Sequence, residues 1–162
     1  MGQDDPEMGA EDFSVSLRIR HPNIDPEEIT HALGLEPQHC WKAGETRRTI
    51  QGEPLEGAYR ESYWTGLFFE TGAAPLGVPV LGLVGNEAVL AQAVQQLRRL
   101  QPFLRRLQQD GGTVELLVEM ATAPEFSFSL SPRLLSMLAS AGVSLLLDVR
   151  PRPEPAVRRL AG

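Results

Sequence analysis

The chain has 162 residues, 42% of them hydrophobic and 22% charged, which suits one globular domain with a sizeable core. A formal charge of −6 and a pI near 5.1 argue against general nucleic-acid binding, because phosphate affinity requires concentrated cations. The lone cysteine, Cys40, excludes an internal disulfide and a cysteine-only metal cage, and no signal-peptide pattern opens the sequence.

Residues 1–12 carry acidic side chains, glycine and Pro6 with little to bury, and are expected to form a disordered acidic tail. Phe13, Val15, Leu17 and Ile19 alternate with Ser14, Ser16, Arg18 and Arg20, the period-two pattern of a strand with one apolar face. Asp25-Pro26-Glu27-Glu28 predicts a helix start: Asp25 as cap, Pro26 in the first turn, Glu28 closing a capping box. Ile29, Ala32 and Leu33 give that helix a buried stripe, Gly34 a left-handed C-cap, and Pro37 forbids continuation.

The stretch from Leu33 to Arg47 is the most distinctive of the chain and is expected to be a loop. It holds Trp41, one of two tryptophans, and Lys42, the single lysine. Gly52, Pro54 and Gly57 punctuate a turn or hairpin. Tyr63, Trp64, Leu67, Phe68 and Phe69 populate both faces of an internal strand. Residues 71–85, rich in Gly and Pro, read as a loop over apolar surface, and the run 73–85 is too short to cross a bilayer. Its apolar residues suit a cover for one end of the core better than a partner-docking patch.

Asn86 is expected to cap a long helix bearing Leu90, Val94, Leu97 and Leu100. Pro102 should interrupt it, and a second piece with Phe103, Leu104 and Leu107 should stop at Gly111-Gly112. Val114, Leu116, Val118 and Met120 mark another half-solvated strand, and Phe126, Phe128 and Leu130 a short one. Ser131-Pro132 opens a helix with Leu134, Leu135, Leu138 and Ala141 inward, closed by Gly142. Val143 to Val149 form the last strand, and residues 151–162 a Pro/Arg-rich flexible tail. A single domain over residues 13–150 follows. Its fold class is α+β: a two-layer sandwich with helices on one face of a mixed, mainly antiparallel sheet. The other face would present Ser14, Ser16, Arg18, Glu115, Glu119, Ser127, Ser129, Ser144 and Asp148.

With those residues in place, the chain resembles a bacterial family known as domain of unknown function 4279. The resemblance rests on the first strand, Asp25-Pro26-Glu27-Glu28-Ile29, Leu33-Gly34-Leu35-Glu36-Pro37, Trp41-Lys42-Ala43-Gly44-Glu45 and Tyr63-Trp64. The helix broken at Pro102 and the last helix and strand, ending at Asp148-Val149, also fit. It implies a small α/β domain and carries no catalytic residues with it. A GC-rich bacterial origin also suits the preference for arginine over lysine, and a cytoplasmic setting suits the missing signal peptide.

Trp41, Lys42, Glu45, Arg47, Arg60 and Trp64 form the candidate ligand site, two indoles for stacking and cations for an anion. The competing and favoured reading places both tryptophans in the core and makes Lys42 and Glu45 ordinary turn charges. His21, His31 and His39, with Glu27, Glu28 and Cys40, lack the spacing of a zinc site, so no metal and no cofactor are expected. Cys40 and His39, being adjacent, point to opposite sides of an extended chain and make a poor nucleophile and base. The leading expectation is a non-enzymatic binding or protein-interaction module, immunity-like in one version. Its partner would be a protein or a small anionic ligand, with a homodimer left open and neither nucleic acid nor membrane expected. The alternative is a small enzyme acting on an anionic metabolite, with Lys42 and the arginines holding substrate and Glu45 as acid or base. An RNA-binding sheet ranks last, because the polar face offers serines and carboxylates where exposed aromatics are needed.

Overall fold

The computed structural model describes residues 12–70, 86–122 and 129–151. Their elements run β1 (Asp12–His21), α1 (Pro26–Leu33), β2 (His39–Trp41), β3 (Thr46–Arg48), β4 (Pro54–Ala58), β5 (Ser62–Glu70), α2 (Asn86–Arg99), α3 (Gln101–Gln109), β6 (Thr113–Thr122), α4 (Pro132–Ala141) and β7 (Ser144–Pro151). The main sheet has five strands in the order β2-β5-β1-β6-β7, and β3 pairs with β4 in a separate two-stranded ribbon. All main-sheet pairings are antiparallel except β6 with β7, whose parallel register requires the crossover that α4 supplies. The chain is α+β with a mainly antiparallel mixed sheet, as its alternating strands and helices predict.

The alternation in β1 sorts its residues as expected. Val15, Leu17 and Ile19 are fully buried, beside Val114, Leu116, Val118 and Met120 of β6 and Trp64 of β5. Leu90, Val94 and Leu97 of α2, Leu104 and Leu107 of α3, Ile29 of α1, and Leu134 and Leu138 of α4 complete that core. The sheet therefore carries its helices on one face. Its other face bears Arg18 bonded to Glu115, with 2.7 Å between Nη2 and Oε2, each side chain no more than a quarter exposed. Ser16 belongs to this face by register, yet it is buried between Leu67 and Leu117, its partners in β5 and β6. A bulge between Val15 and Ser16 puts Phe69 rather than Phe68 opposite Val15.

The helix ends follow their caps. Asp25 accepts from the Glu27 amide, and Gly34 takes the left-handed conformation at φ 62°. Ser131 accepts from the Leu134 amide, and Gly142 closes α4 at φ 67°. Pro102 sits in the first turn of α3, which separates it from α2 at Leu100.

Several expectations need correction. The Glu28 carboxylate turns to Arg106 at 3.1 Å rather than closing a capping box. The stretch read as a loop contains β2, a three-residue edge strand fastened to β5 by the pairing of Cys40 with Trp64 and Trp41 with Tyr63. Leu135 is 48% exposed, because helical geometry turns it about 100° from Leu134. Asp12 and Pro151, assigned to the tails, begin β1 and end β7. Ser129 and Leu130 lie outside any strand; the rest of that expected strand, residues 126–128, the loop 71–85 and the remaining tail residues lie outside the described residues.

Candidate functional site

The chain leaves α1 at Gly34, and β2 lines up along β5, so consecutive residues point to opposite sheet faces. Trp41 and its partner Tyr63 therefore share the face away from the helices, in line with Arg20 of β1, while Cys40 and Trp64 take the other. Trp41 stacks on Tyr63 with centroids 4.3 Å apart and planes 13° apart. It stacks on Tyr59 at 4.7 Å and 15°. Offset stacking of this kind adds about 0.5–1.5 kcal/mol per pair beyond area burial. The half-buried indole is held at the sheet edge by its stacking on two tyrosines.

A tight turn follows. The Lys42 amide donates to the Glu45 carboxylate at 3.1 Å, and the Glu45 amide donates to the Lys42 carbonyl at 3.2 Å. Gly44, at φ 86°, supplies the left-handed residue this turn needs. Its amide reaches the Tyr59 carbonyl, and the Tyr59 amide reaches back to Glu45. The Ala43 amide donates to Ser62 Oγ at 3.0 Å, which ties the turn to β5. Beyond it, β3 and β4 project as an arm. Tyr59 Oη accepts from the Arg48 amide, and Arg48 Nη1 donates to the Gly52 carbonyl, both at 3.0 Å. At the tip of the arm Ile50 is wholly exposed.

Between β2 and this arm lies a solvent-open cleft of about 790 Å³. Trp41, Tyr59, Glu45, Arg48, Gln38 and Ile50 are among its lining residues. The six candidate residues thus divide. Trp41 and Glu45 line the cleft. Lys42 does not: its ammonium stands 2.9 Å from Asp25 Oδ2, joining the turn to the cap of α1. That hydrogen bond holds the Asp25 carboxyl below its ordinary value and the Lys42 amine above its own. Arg47 and Arg60 are exposed and outside the lining. Trp64 is fully buried and donates Nε1–H to Thr30 Oγ1 at 3.0 Å, so it is a core residue and not a pocket wall. Tyr59, Tyr63 and Arg48 were missed. The cross-strand pairing that brings Tyr63 to Trp41 is invisible until β2 is known to be a strand, but Tyr63 alternating with Trp64 is a signal that these two split between faces.

Burial pushes the Cys40 thiol up, and the nearby Glu45 and Asp25 carboxylates push it further. That is the opposite of what a thiolate nucleophile needs. His21 is buried, with Nδ1 accepting from the amides of Asn23 and Ile24 at 3.1 and 2.9 Å, so it shapes the turn into α1. Among the described residues, no three His, Cys, Asp or Glu side chains gather closely enough to hold a metal ion. No helix among them is long and apolar enough to cross a membrane.

Sheet, ribbon arm and aromatic-floored cleft define an α+β domain with its candidate site at a sheet edge. Residues 11–72 match the family model described as Domain of unknown function (DUF4279), and over that stretch the family resemblance is shown. The match spans β1 to β5 and includes every residue of the cleft. The features of resemblance at Pro102 and in the last helix and strand lie beyond it. No curated protein and no solved structure matches the chain.

Proposed function

We propose that this chain is a non-catalytic binding module of the bacterial cytoplasm, whose cleft between β2 and the β3–β4 arm receives a segment of a partner protein. The observation that carries the reading is Trp41, stacked on Tyr59 and Tyr63 in the wall of an open cleft. An aromatic surface immobilised before binding loses little side-chain entropy on contact, the property of interface hot spots. The cleft is open, whereas small-molecule sites bury most of their ligand, and this favours a protein segment over a small anionic metabolite. Arg48, with its carbonyl bond to Gly52, offers further donors to an acidic side chain of that segment. A non-catalytic role accords with the groups present: Lys42 is engaged by Asp25, Glu45 accepts from the turn, and the Cys40 thiol is pushed up.

Selection of a displayed random-peptide library against the purified chain tests this. Enriched peptides should bind the native protein and lose at least tenfold in affinity to Trp41→Ala, with the far-ultraviolet spectrum unchanged. Enrichment indifferent to Trp41→Ala would refute the cleft as the site. A thermal shift with small anions, lost in Arg48→Ala, would move the reading to the metabolite alternative.

A further inference from the structure

At the far end of the sheet from the cleft, β7 has a composition that does not suit an edge. It reads Ser-Leu-Leu-Leu-Asp-Val-Arg-Pro, and its three consecutive leucines put apolar side chains on both faces, where a half-solvated edge strand would alternate. Leu146, in register with Leu117, stands on the open face and is 39% exposed. Leu147 and Val149, in register with Val118 and Met120, stand on the helix face at 39% and 45%. A body docked on either face would cover only one of these groups. Among the described residues nothing pairs with the outer side of β7, and a further strand there would border both groups.

We infer that a second copy of this chain supplies that strand, its β7 pairing antiparallel to this one about a two-fold axis at Leu147. Directly opposed residues of an antiparallel pair share a sheet face, so such an axis falls on a residue. Centred on Asp148, it would set that carboxylate against its own copy, which is repulsive. Centred on Leu147, it sets Leu147 against its counterpart, Leu145 against Val149, Leu146 against Asp148, and Ser144 against Arg150. This register overlaps residues 144–150, all of them within the strand, over about 23 Å. No like charges are directly opposed. Asp148 and Arg150 already neutralise one another at 2.7 Å, which matters for self-association of a chain carrying −6 overall.

The helix layer agrees. Arg133, Leu134 and Met137 line the groove between α4 and α2, and Leu135 stands on the flank of α4 turned away from α2. Since α4 packs on β7, its 48%-exposed leucine extends the apolar strip at that end of the molecule. The resulting dimer would have a continuous ten-stranded sheet, twice the five of one chain, with its two clefts at opposite ends.

Sedimentation equilibrium of the full chain over a concentration series tests this, with three variants. The native chain should show the mass of two copies. Leu147→Lys sets ammonium against ammonium and should halve that mass while leaving the circular dichroism unchanged. In a Cys40→Ser background, Leu147→Cys should oxidise to a disulfide-linked dimer, since directly opposed strand residues lie within disulfide reach. Leu55→Cys on β4 should not. A native chain with the mass of one copy throughout would overturn the inference. So would a dimer that survives Leu147→Lys, or one in which Leu147→Cys fails to cross-link. Should Leu147→Lys not fold, the cross-linking result decides alone.

Discussion

Replacing Gly66 by alanine probes whether Trp64 belongs to the core, the point on which the candidate site divides. Gly66 follows Trp64 by two residues on the same face of β5, and its φ lies outside the range that strains other residues. A β-carbon there would collide with Trp64 Cη2 and stand 3.0 Å from both Trp64 Cζ2 and Leu35 Cδ2. Overpacking of this kind costs about 1–3 kcal/mol, while removing a glycine from a compatible backbone returns about 0.4–1 kcal/mol. The expected net loss for Gly66→Ala is therefore roughly 0.5–2 kcal/mol. Trp64→Phe loses the indole bond to Thr30 and part of the ring, for about 2–3 kcal/mol. The shorter ring also withdraws the Cη2 edge. The double variant should then be more stable than the two losses added, by about 1 kcal/mol or more, as for residues in direct contact. Urea titrations of the four proteins, with unchanged m-values, measure this coupling. If Gly66→Ala is as stable as the native chain, or the two losses simply add, the buried placement of Trp64 is wrong and the indole returns to the pocket.

Two further predictions concern the turn. Lys42→Met removes the partner that holds Asp25 down, so the Asp25 titration followed by NMR should rise towards the ordinary aspartate value. The pair's contribution is present above the unfolded aspartate value and is lost as pH falls through the depressed folded one. On the basic side the lysine contribution is present below the unfolded lysine value and is lost as pH rises through the raised folded one. The variant should lack the alkaline limb and keep only the part of the acid limb that the Glu27 amide supports. Cys40, although exposed, should react with iodoacetamide more slowly at mildly alkaline pH than a free thiol, because burial and two carboxylates disfavour its thiolate. Glu45→Gln should speed that reaction; a native rate at or above that of a free thiol would contradict the assigned environment.

The period-two runs in β1 and β6 and the proline-led helices α1 and α4 were legible because local pattern and tertiary burial agree in them. Ser16 and Leu117 show where pattern stops being informative. One is polar but sealed between leucines, the other apolar on the open face, and only the register across β5, β1 and β6 brings them together. β2 was unreadable for a different reason: three residues carry no period, and the strand exists through its pairing with β5. The site inherited that error. With β2 taken for a loop, nothing separated Trp41 from Trp64, yet the register sends them to opposite faces and gives them opposite roles. Lys42 drew attention as the single lysine, and its partner proved to be the helix cap seventeen residues earlier.

The position of β1 bears on how the nascent chain reaches this state. Its neighbour β5 ends at Glu70, but the strand that closes its other side is complete only at Thr122. At about 5–20 residues per second, a ribosome needs roughly 3–10 s to add the intervening stretch. Throughout that interval the segment matching the family model is already synthesised, with the β6-binding edge of its central strand open. An open edge of ten residues, with Val15, Leu17 and Ile19 destined for the core, is a template for wrong pairing. Translation speed between β5 and β6, and chaperone capture of that edge, therefore bear on the yield of native protein more than the stability of either half.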